Sequence, residues 1–398
     1  LQDNGGPTDT HALLASSAAV DAGSNVGVAA TDQRGFVRIA DGDGNSTATV
    51  DIGAFEFQPA SFTSFATLAT ENGAADFTVG DFNNDGIVDL ASAYNGTAFP
   101  SNNSIFAVFL GVGAGNFAAP TLFNPGTGGC FTGGGLESAD FNGDGNLDLV
   151  MTHGGSGGGC FGNKVTVHLG DGAGGFAAPI QFNSGGSIGN LAVGDFNGDT
   201  IVDLAIPSSD SDAVFVHLGQ GDGTFAAPST LPFGQDSNTI LTGDVNSDGD
   251  LDLVVTTSTR ALVFLGGGDG SFAAPSEVVV ANASSSQIGN FNEDALLDLA
   301  ITSSIGGTVS VFLGVGGGNF SGPTVFAAGT SPRSIDVADF DGDGHQDLVV
   351  GSTTTATLSV LPGDGNGGFD TPVVFTTGTN SGSRVRAVDL NGDGLADL

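Results

Sequence analysis

The chain has 398 residues, with 44 Asp and Glu against 7 Lys and Arg, a formal charge of −37. So few cations exclude nucleic acid and anionic membrane as main partners, since both need a basic face against phosphate. Hydrophobic residues at 39% exclude a solvated, unfolded chain, and Gly at 68 of 398 excludes an all-helical one, because helices tolerate glycine badly.

In chain order, residues 1–57 stand apart from the rest. They contain Asp3-Asn-Gly-Gly-Pro-Thr-Asp-Thr-His11, Asp32-Gln-Arg-Gly-Phe36 and Asp51-Ile-Gly-Ala-Phe-Glu56. Asp41-Gly-Asp-Gly-Asn45 within them reads as a plain turn, with an eighth cation loop as the alternative. Residues 58–69 carry Phe62-Thr-Ser-Phe-Ala and read as an outer strand able to close a ring from the opposite end of the chain.

From residue 75 a unit of 46 to 59 residues repeats seven times, beginning at Asp81, Asp140, Asp195, Asp244, Asn290, Asp339 and Asp389. In the first copy four strands are expected at about 75–81, 88–93, 104–110 and 117–123. Alternation is clear in Val214-Phe-Val-His-Leu218, and Gly-rich turns such as Gly219-Gln-Gly-Asp-Gly223 join the third and fourth pieces. Four antiparallel strands per repeat predict an all-β, seven-bladed propeller in which each sheet is covered by its neighbours. No run of about 18 apolar residues is present, so no helical membrane span is expected. The propeller is expected over 58–398 with its last blade incomplete within this chain, because the seventh copy stops at Asp397-Leu398, and both ends of the chain read as cut from a longer protein.

Each repeat opens with an acidic loop whose slots 1, 3, 5 and 9 are oxygen-bearing. They are Asp81, Asn83, Asp85 and Asp89 in the first; Asp140, Asn142, Asp144 and Asp148 in the second; and Asp195, Asn197, Asp199 and Asp203 in the third. The fourth and fifth hold Asp244, Asn246, Asp248 and Asp252, then Asn290, Asn292, Asp294 and Asp298. Asp339, Asp341, Asp343 and Asp347 fill the sixth, and Asp389, Asn391, Asp393 and Asp397 the seventh. Carboxylates two apart in a tight turn converge on one point, and Ca²⁺ takes six to eight such oxygens. Slot 12 is Ser92 and a strand follows, so the loop is EF-like without being an EF-hand. Up to seven Ca²⁺ ions are expected, one per loop between strands 1 and 2. The loop at 290–298 should be weakest, with only two acids among its four slots and Ala295 in place of glycine.

Cys130 and Cys160 flank the second loop at positions that meet across an antiparallel pair, so a disulfide is expected. His168 and His217 fall where other repeats have Phe, which is a packing position and not a zinc site. Gly154-Gly-Ser-Gly-Gly158 and Gly170-Asp-Gly-Ala-Gly-Gly175 match nucleophile and dinucleotide patterns but lack the strand–turn–helix context. The longer connections at 94–103, 126–135 and 153–163 lie opposite the acidic loops and break the symmetry.

The Asp-Phe-Asn-Gly-Asp-Gly-x-x-Asp-Leu loop followed by Phe-Ala-Ala-Pro resembles the FG-GAP/VCBS repeats of seven-bladed propellers, including the integrin α-subunit head, over about residues 60–398. The resemblance implies calcium in the loops and an extracellular, adhesive or carbohydrate-linked role. Residues 1–57 resemble the closing segment of right-handed parallel β-helix domains of bacterial surface proteins. Together these readings give a non-enzymatic, calcium-binding module of a larger surface or secreted protein, with a glycan or surface protein as partner. A homopolymeric fibre or sheath is the alternative, and a polysaccharide-acting enzyme a second one, since no acid–base pair stands out from the loop acids.

Overall fold

The computed structural model describes residues 74–94, 105–126, 135–153, 163–186, 189–208, 210–234, 237–377 and 384–398. The β-helix resemblance of 1–57, the closing strand at 58–69 and the Cys130–Cys160 disulfide lie outside them, as do most of the three long connections.

Among the described residues the chain forms six four-stranded antiparallel blades. They occupy 74–123, 136–183, 192–232, 237–279, 283–327 and 332–376. Within each, strands pair in sequence order, so every connection is a hairpin and register follows from the loops. In the first blade the strands are Ala74–Gly80, Asp89–Tyr94, Ile105–Phe109 and Thr121–Phe123. The inner strand ends opposite the slot-9 aspartate, as in Gly80↔Asp89 and Gly243↔Asp252.

Among the described residues the seventh blade, expected to be incomplete, is not formed as a sheet, so the complete blades number six rather than seven. Residues 384–398 supply an inner segment and an acidic loop, joined by one bridge between Val388 and Asp397. No second, third or fourth strand accompanies it among the described residues. The segment nevertheless takes a seventh place in the ring. Val385 is buried against Phe340, Val349 and Val360 of the sixth blade. Arg384 Nε lies 3.1 Å from Asp76 of the first blade, and Arg386 Nη2 lies 2.9 Å from Glu137 of the second.

The expected fourth strand, about 117–123, is two pieces. Asn116–Phe117 folds back on Gly111–Gly113 in a small hairpin, and Thr121–Phe123 then joins the blade. Pro120 between them has no N–H for the ladder, which is why the strand breaks there.

The core is divided among the gaps between neighbouring blades. Phe82, Phe106 and Val108 of the first meet Leu136, Leu149 and Met151 of the second. The same pattern recurs between the third and fourth and between the fifth and sixth. Second and third strands carry side chains that are apolar on both faces, because both faces are covered. His168 and His217 are buried in this packing. His168 stands edge-on to Phe106 at 4.7 Å, and burial lowers its pKa to about 4. Both are core residues, as their Phe counterparts suggested.

Candidate metal centres

In the six blades the acidic loop joins the inner strand to the second strand. It is a closed set of hydrogen bonds in which acids accept and backbone N–H groups donate. The slot-1 carboxylate caps the turn: Asp140 Oδ1 accepts from Gly143 N–H at 2.7 Å and Oδ2 from Gly145 N–H at 2.9 Å. The slot-5 carboxylate accepts from the slot-7 N–H, as Asp144 does from Asn146 at 2.8 Å. The slot-3 amide ties to slot 5, as Asn142 Nδ2 does to Asp144 Oδ2 at 2.9 Å. Equivalent bonds are made in the third and fourth loops. The slot-5 Oδ1 takes one such bond and keeps a lone pair, whereas the slot-1 Oδ1 is shared, Asp140 Oδ1 also accepting from Asn142 N–H at 3.3 Å and Asp144 N–H at 3.2 Å.

The slot-9 aspartate does something the spacing did not reveal. Asp89, Asp148, Asp203, Asp252, Asp298 and Asp347 are fully buried. Oδ2 of each accepts the slot-2 N–H, and Oδ1 accepts the N–H of the glycine that opens the hairpin between strands 3 and 4. For Asp148 these donors are Phe141 at 2.9 Å and Gly170 at 2.7 Å. Asp252 holds Val245 at 2.9 Å and Gly266 at 2.8 Å. One side chain thus staples two loops of a blade together. The glycine cannot be replaced: a Cβ on Gly170 would sit 2.2 Å from Leu147 O, and one on Gly363 2.2 Å from Gln346 O. The glycine after the third strand, in Leu-Gly in the first five blades and Pro362-Gly363 in the sixth, was the available signal for this role.

Neighbouring repeats are joined at the same corner. The hairpin of one blade donates to the slot-2 carbonyl of the preceding loop, as Gly174 N–H to Phe82 O at 3.0 Å and Gly270 N–H to Phe196 O at 2.9 Å. The slot-2 phenylalanine meets the next blade's hairpin phenylalanine edge-on. Phe82–Phe176 and Phe196–Phe272 have centroids 5.9 and 5.7 Å apart. This is why Phe follows the first Asp and precedes Ala-Ala-Pro.

The loops are unequal. In the sixth, Asp339, Asp341 and Asp347 present oxygens within 4.8 Å of one another. It is the one such trio of acids among the described residues, and it arises because slot 3 is Asp341 where the other six loops have Asn. Asp341 is buried, and its Oδ2 has no hydrogen-bond partner. Burial and then the neighbouring carboxylates of Asp347, Asp343 and Asp339 push Asp341 up to about 9. Burial likewise raises Asp347 to about 7 and Asp148 to about 6. The donor set of the sixth loop fits a hard divalent cation, which would discharge the repulsion and partner the orphaned oxygen.

The fifth loop departs in the other direction. Asn290 Oδ1 is buried without a partner where other loops have a turn-capping carboxylate. Instead the loop is stitched to the sixth: Asn290 N–H donates to Gln346 Oε1 at 2.7 Å, and Glu293 pairs with His345 Nδ1 at 2.5 Å. Ala295 and Thr200 hold the slot-6 position at φ 68° and 70°, a left-handed conformation that glycine adopts at the equivalent places. Replacing Ala295 or Thr200 with glycine is therefore expected to stabilise the protein by about 1 kcal/mol each, read as a shift of the denaturant midpoint at constant slope.

Residues 81–151, 140–206, 197–255, 290–350 and 339–398 match the model of the FG-GAP-like repeat. No curated protein matches the chain. Solved structures share the fold at low identity. A periplasmic gluconolactonase of Pseudomonas aeruginosa is 14% identical over 77% of this chain and 86% of its own, with a TM-score of 0.57. An Agrocybe aegerita lectin that recognises non-reducing terminal N-acetylglucosamine is 17% identical, with 77% and 81% covered and a TM-score of 0.53. A functionally unknown protein from Desulfotomaculum acetoxidans is 12% identical, with 70% and 78% covered and a TM-score of 0.51. At these identities the likeness is one of fold alone.

Proposed function

This chain belongs to the FG-GAP-like repeat family, and we propose that it is a calcium-stabilised, extracellular propeller. In this reading it serves a larger surface or secreted protein as a non-catalytic adhesion or structural module. The observation that carries the reading is the acidic corner: the same oxygen-rich loop at every repeat, with three carboxylates converging in the sixth and one oxygen of Asp341 unpartnered. A millimolar-calcium environment outside the cell would keep such loops filled, whereas carboxylates this close repel one another without a counter-ion. The sixth loop ranks first in affinity and the fifth last, where Asn290 replaces a carboxylate and the neighbouring loop supplies the support. The partner we assign is a glycan or a glycosylated surface protein, in keeping with a charge of −37 that repels anionic polymers.

Equilibrium dialysis against ⁴⁵Ca²⁺, followed by a glycan array probed in calcium and in chelator, tests both halves. Binding of several ions and a chelator-sensitive glycan signal are the expected results. Retention of no ion at millimolar calcium would remove the metal reading, and a blank array would remove the glycan partner. In the sixth loop, Asp341→Asn should lower the tightest calcium affinity by at least tenfold, since it deletes a charge from the trio; calorimetric titration reads this directly.

Assembly into a fibre is a second reading, favoured by one specific feature. Leu122, Val279, Val325 and Val374 lie on outermost strands and are more than half exposed. Apolar residues on a sheet edge invite pairing with another chain. On this reading Val279→Lys should abolish concentration-dependent growth of the sedimentation coefficient.

A further inference from the structure

Three of the acidic loops carry a covalent chemistry that holding a metal does not use. In the second, third and seventh, slot 3 is asparagine and slot 4 is glycine: Asn142-Gly143, Asn197-Gly198 and Asn391-Gly392. The side-chain carbonyl of an asparagine is open to attack by the backbone nitrogen of the next residue, and a following glycine presents no Cβ to block the approach. The first, fourth and fifth loops have Asn84, Ser247 and Glu293 at slot 4 instead.

The fold arranges hydrogen bonds around each participant in that reaction. The nucleophile is the slot-4 nitrogen, and its N–H donates to the slot-1 carboxylate. Gly143, Gly198 and Gly392 meet Oδ1 of Asp140, Asp195 and Asp389, each at 2.7 Å. Among the described residues, the slot-1 carboxylates of the first and fourth loops accept from slots 5 and 6 but not from slot 4. The attacked carbonyl is held as well: Asn142 Oδ1 accepts from Asp144 N–H at 2.8 Å, Asn197 Oδ1 from Asp199 N–H at 2.9 Å and Asn391 Oδ1 from Asp393 N–H at 2.8 Å. Each of these bonds closes a ring that contains both the asparagine Cγ and the slot-4 nitrogen, so the reacting atoms are kept together. Each also puts a donor on the oxygen where negative charge develops. The departing nitrogen donates to a carboxylate, Asn142 Nδ2 to Asp144 Oδ2 at 2.9 Å and Asn197 Nδ2 to Asp199 Oδ2 at 3.0 Å.

We infer that Asn142, Asn197 and Asn391 are sites of self-catalysed deamidation, which turns slot 3 of their loops into aspartate. The slot-4 nitrogen bonds to Cγ and its proton passes to the slot-1 carboxylate. The Cγ–Nδ2 bond then breaks, and ammonia leaves with that proton. Solvent water adds to Cγ of the resulting cyclic imide and the new Cγ–N bond breaks, which restores the main chain and leaves a carboxyl group. The fold already contains the product. The sixth loop has Asp341-Gly342 at these slots, with Gly342 N–H on Asp339 Oδ1 at 2.7 Å and Asp343 N–H on Asp341 Oδ1 at 3.1 Å. The same backbone bonds therefore accommodate a slot-3 carboxylate. After conversion three further loops carry acids at all four slots, as the sixth does. On the calcium reading above, on which this consequence alone rests, the module gains calcium affinity as it ages.

The test holds the full chain in chelator at pH 8, folded or unfolded in urea, and follows each asparagine by peptide mass spectrometry. Asn142, Asn197 and Asn391 should gain one mass unit in ordinary water and three in heavy-oxygen water, at least as fast in the folded chain as in urea. Asn83, Asn246 and Asn292 should react at least about tenfold more slowly, the equivalent of about 1.4 kcal/mol of barrier. Gly143→Asn copies the first loop, where Asn84 holds the same position at φ 58°. It should slow Asn142 by about tenfold and leave Asn197 unchanged. Equal rates at all six asparagines would overturn the inference. So would folded-chain rates about tenfold or more below those in urea, since the fold would then shield these pairs. Calorimetric titration of the aged chain with calcium should show tighter binding than the fresh chain. Unchanged calcium binding in a chain whose masses have shifted would remove the calcium consequence and leave the modification standing.

Discussion

Excess chelator is expected to lower the melting temperature by roughly 20 °C at pH 8 and by much less at pH 5. An ion held a thousandfold above its dissociation constant stabilises by about 4 kcal/mol. Each kcal/mol is worth about 2–4 °C in a domain of this size, so two or three filled loops suffice. The pH dependence follows from the buried acids. Asp341 is raised to about 9, Asp347 to about 7 and Asp148 to about 6, each chiefly by burial. Without metal the folded state keeps protons on these groups that the unfolded chain, with pKa 3.8, has released. Their stabilisation is present in full below that value and is lost as pH rises through 6, 7 and 9. A bound cation favours the ionised form and cancels the loss, so the calcium-induced gain in melting temperature should grow with pH. Differential scanning calorimetry from pH 5 to 8, with and without calcium, measures it. A gain that is flat or falls with pH would contradict the raised acids of these loops.

Asp252→Ala is expected to destabilise the protein by about 4 kcal/mol even in saturating chelator, where no metal contribution remains. The substitution strands two buried donors, Val245 N–H and Gly266 N–H, at about 1–3 kcal/mol each, and leaves a void. Asp252→Asn should be milder, since its amide can serve one of the two donors. Urea unfolding in chelator separates this staple from any ligand role. A loss confined to calcium-containing buffer would mean that slot 9 acts through the metal alone.

The blade count and the slot-9 staple show what the sequence could and could not convey. The repeat, its four strands and the packing role of His168 and His217 were all legible, because periodicity and substitution by Phe are properties of the chain itself. The blade count was legible in part: seven repeat starts with an early stop imply a ring whose last blade is unfinished, and among the described residues six blades are complete while the last start carries an inner segment and a loop. The stapling role of slot 9 was not legible, because its partners, Gly170 N–H for Asp148 and Gly266 N–H for Asp252, lie in a different hairpin. Spacing along a line does not display contacts between loops.

The seam between blades has a consequence for how such rings arise. At four junctions one unit offers a hairpin N–H and a phenylalanine edge and its predecessor a slot-2 carbonyl and phenylalanine, as the Gly174–Phe82 and Gly270–Phe196 contacts show; the fourth loop has Val245 at slot 2 instead. Plug and socket are the same at these four junctions. An in-frame duplication or loss of one of these units leaves its junctions matched, so gene-level copying can change the circumference without those seams being reinvented.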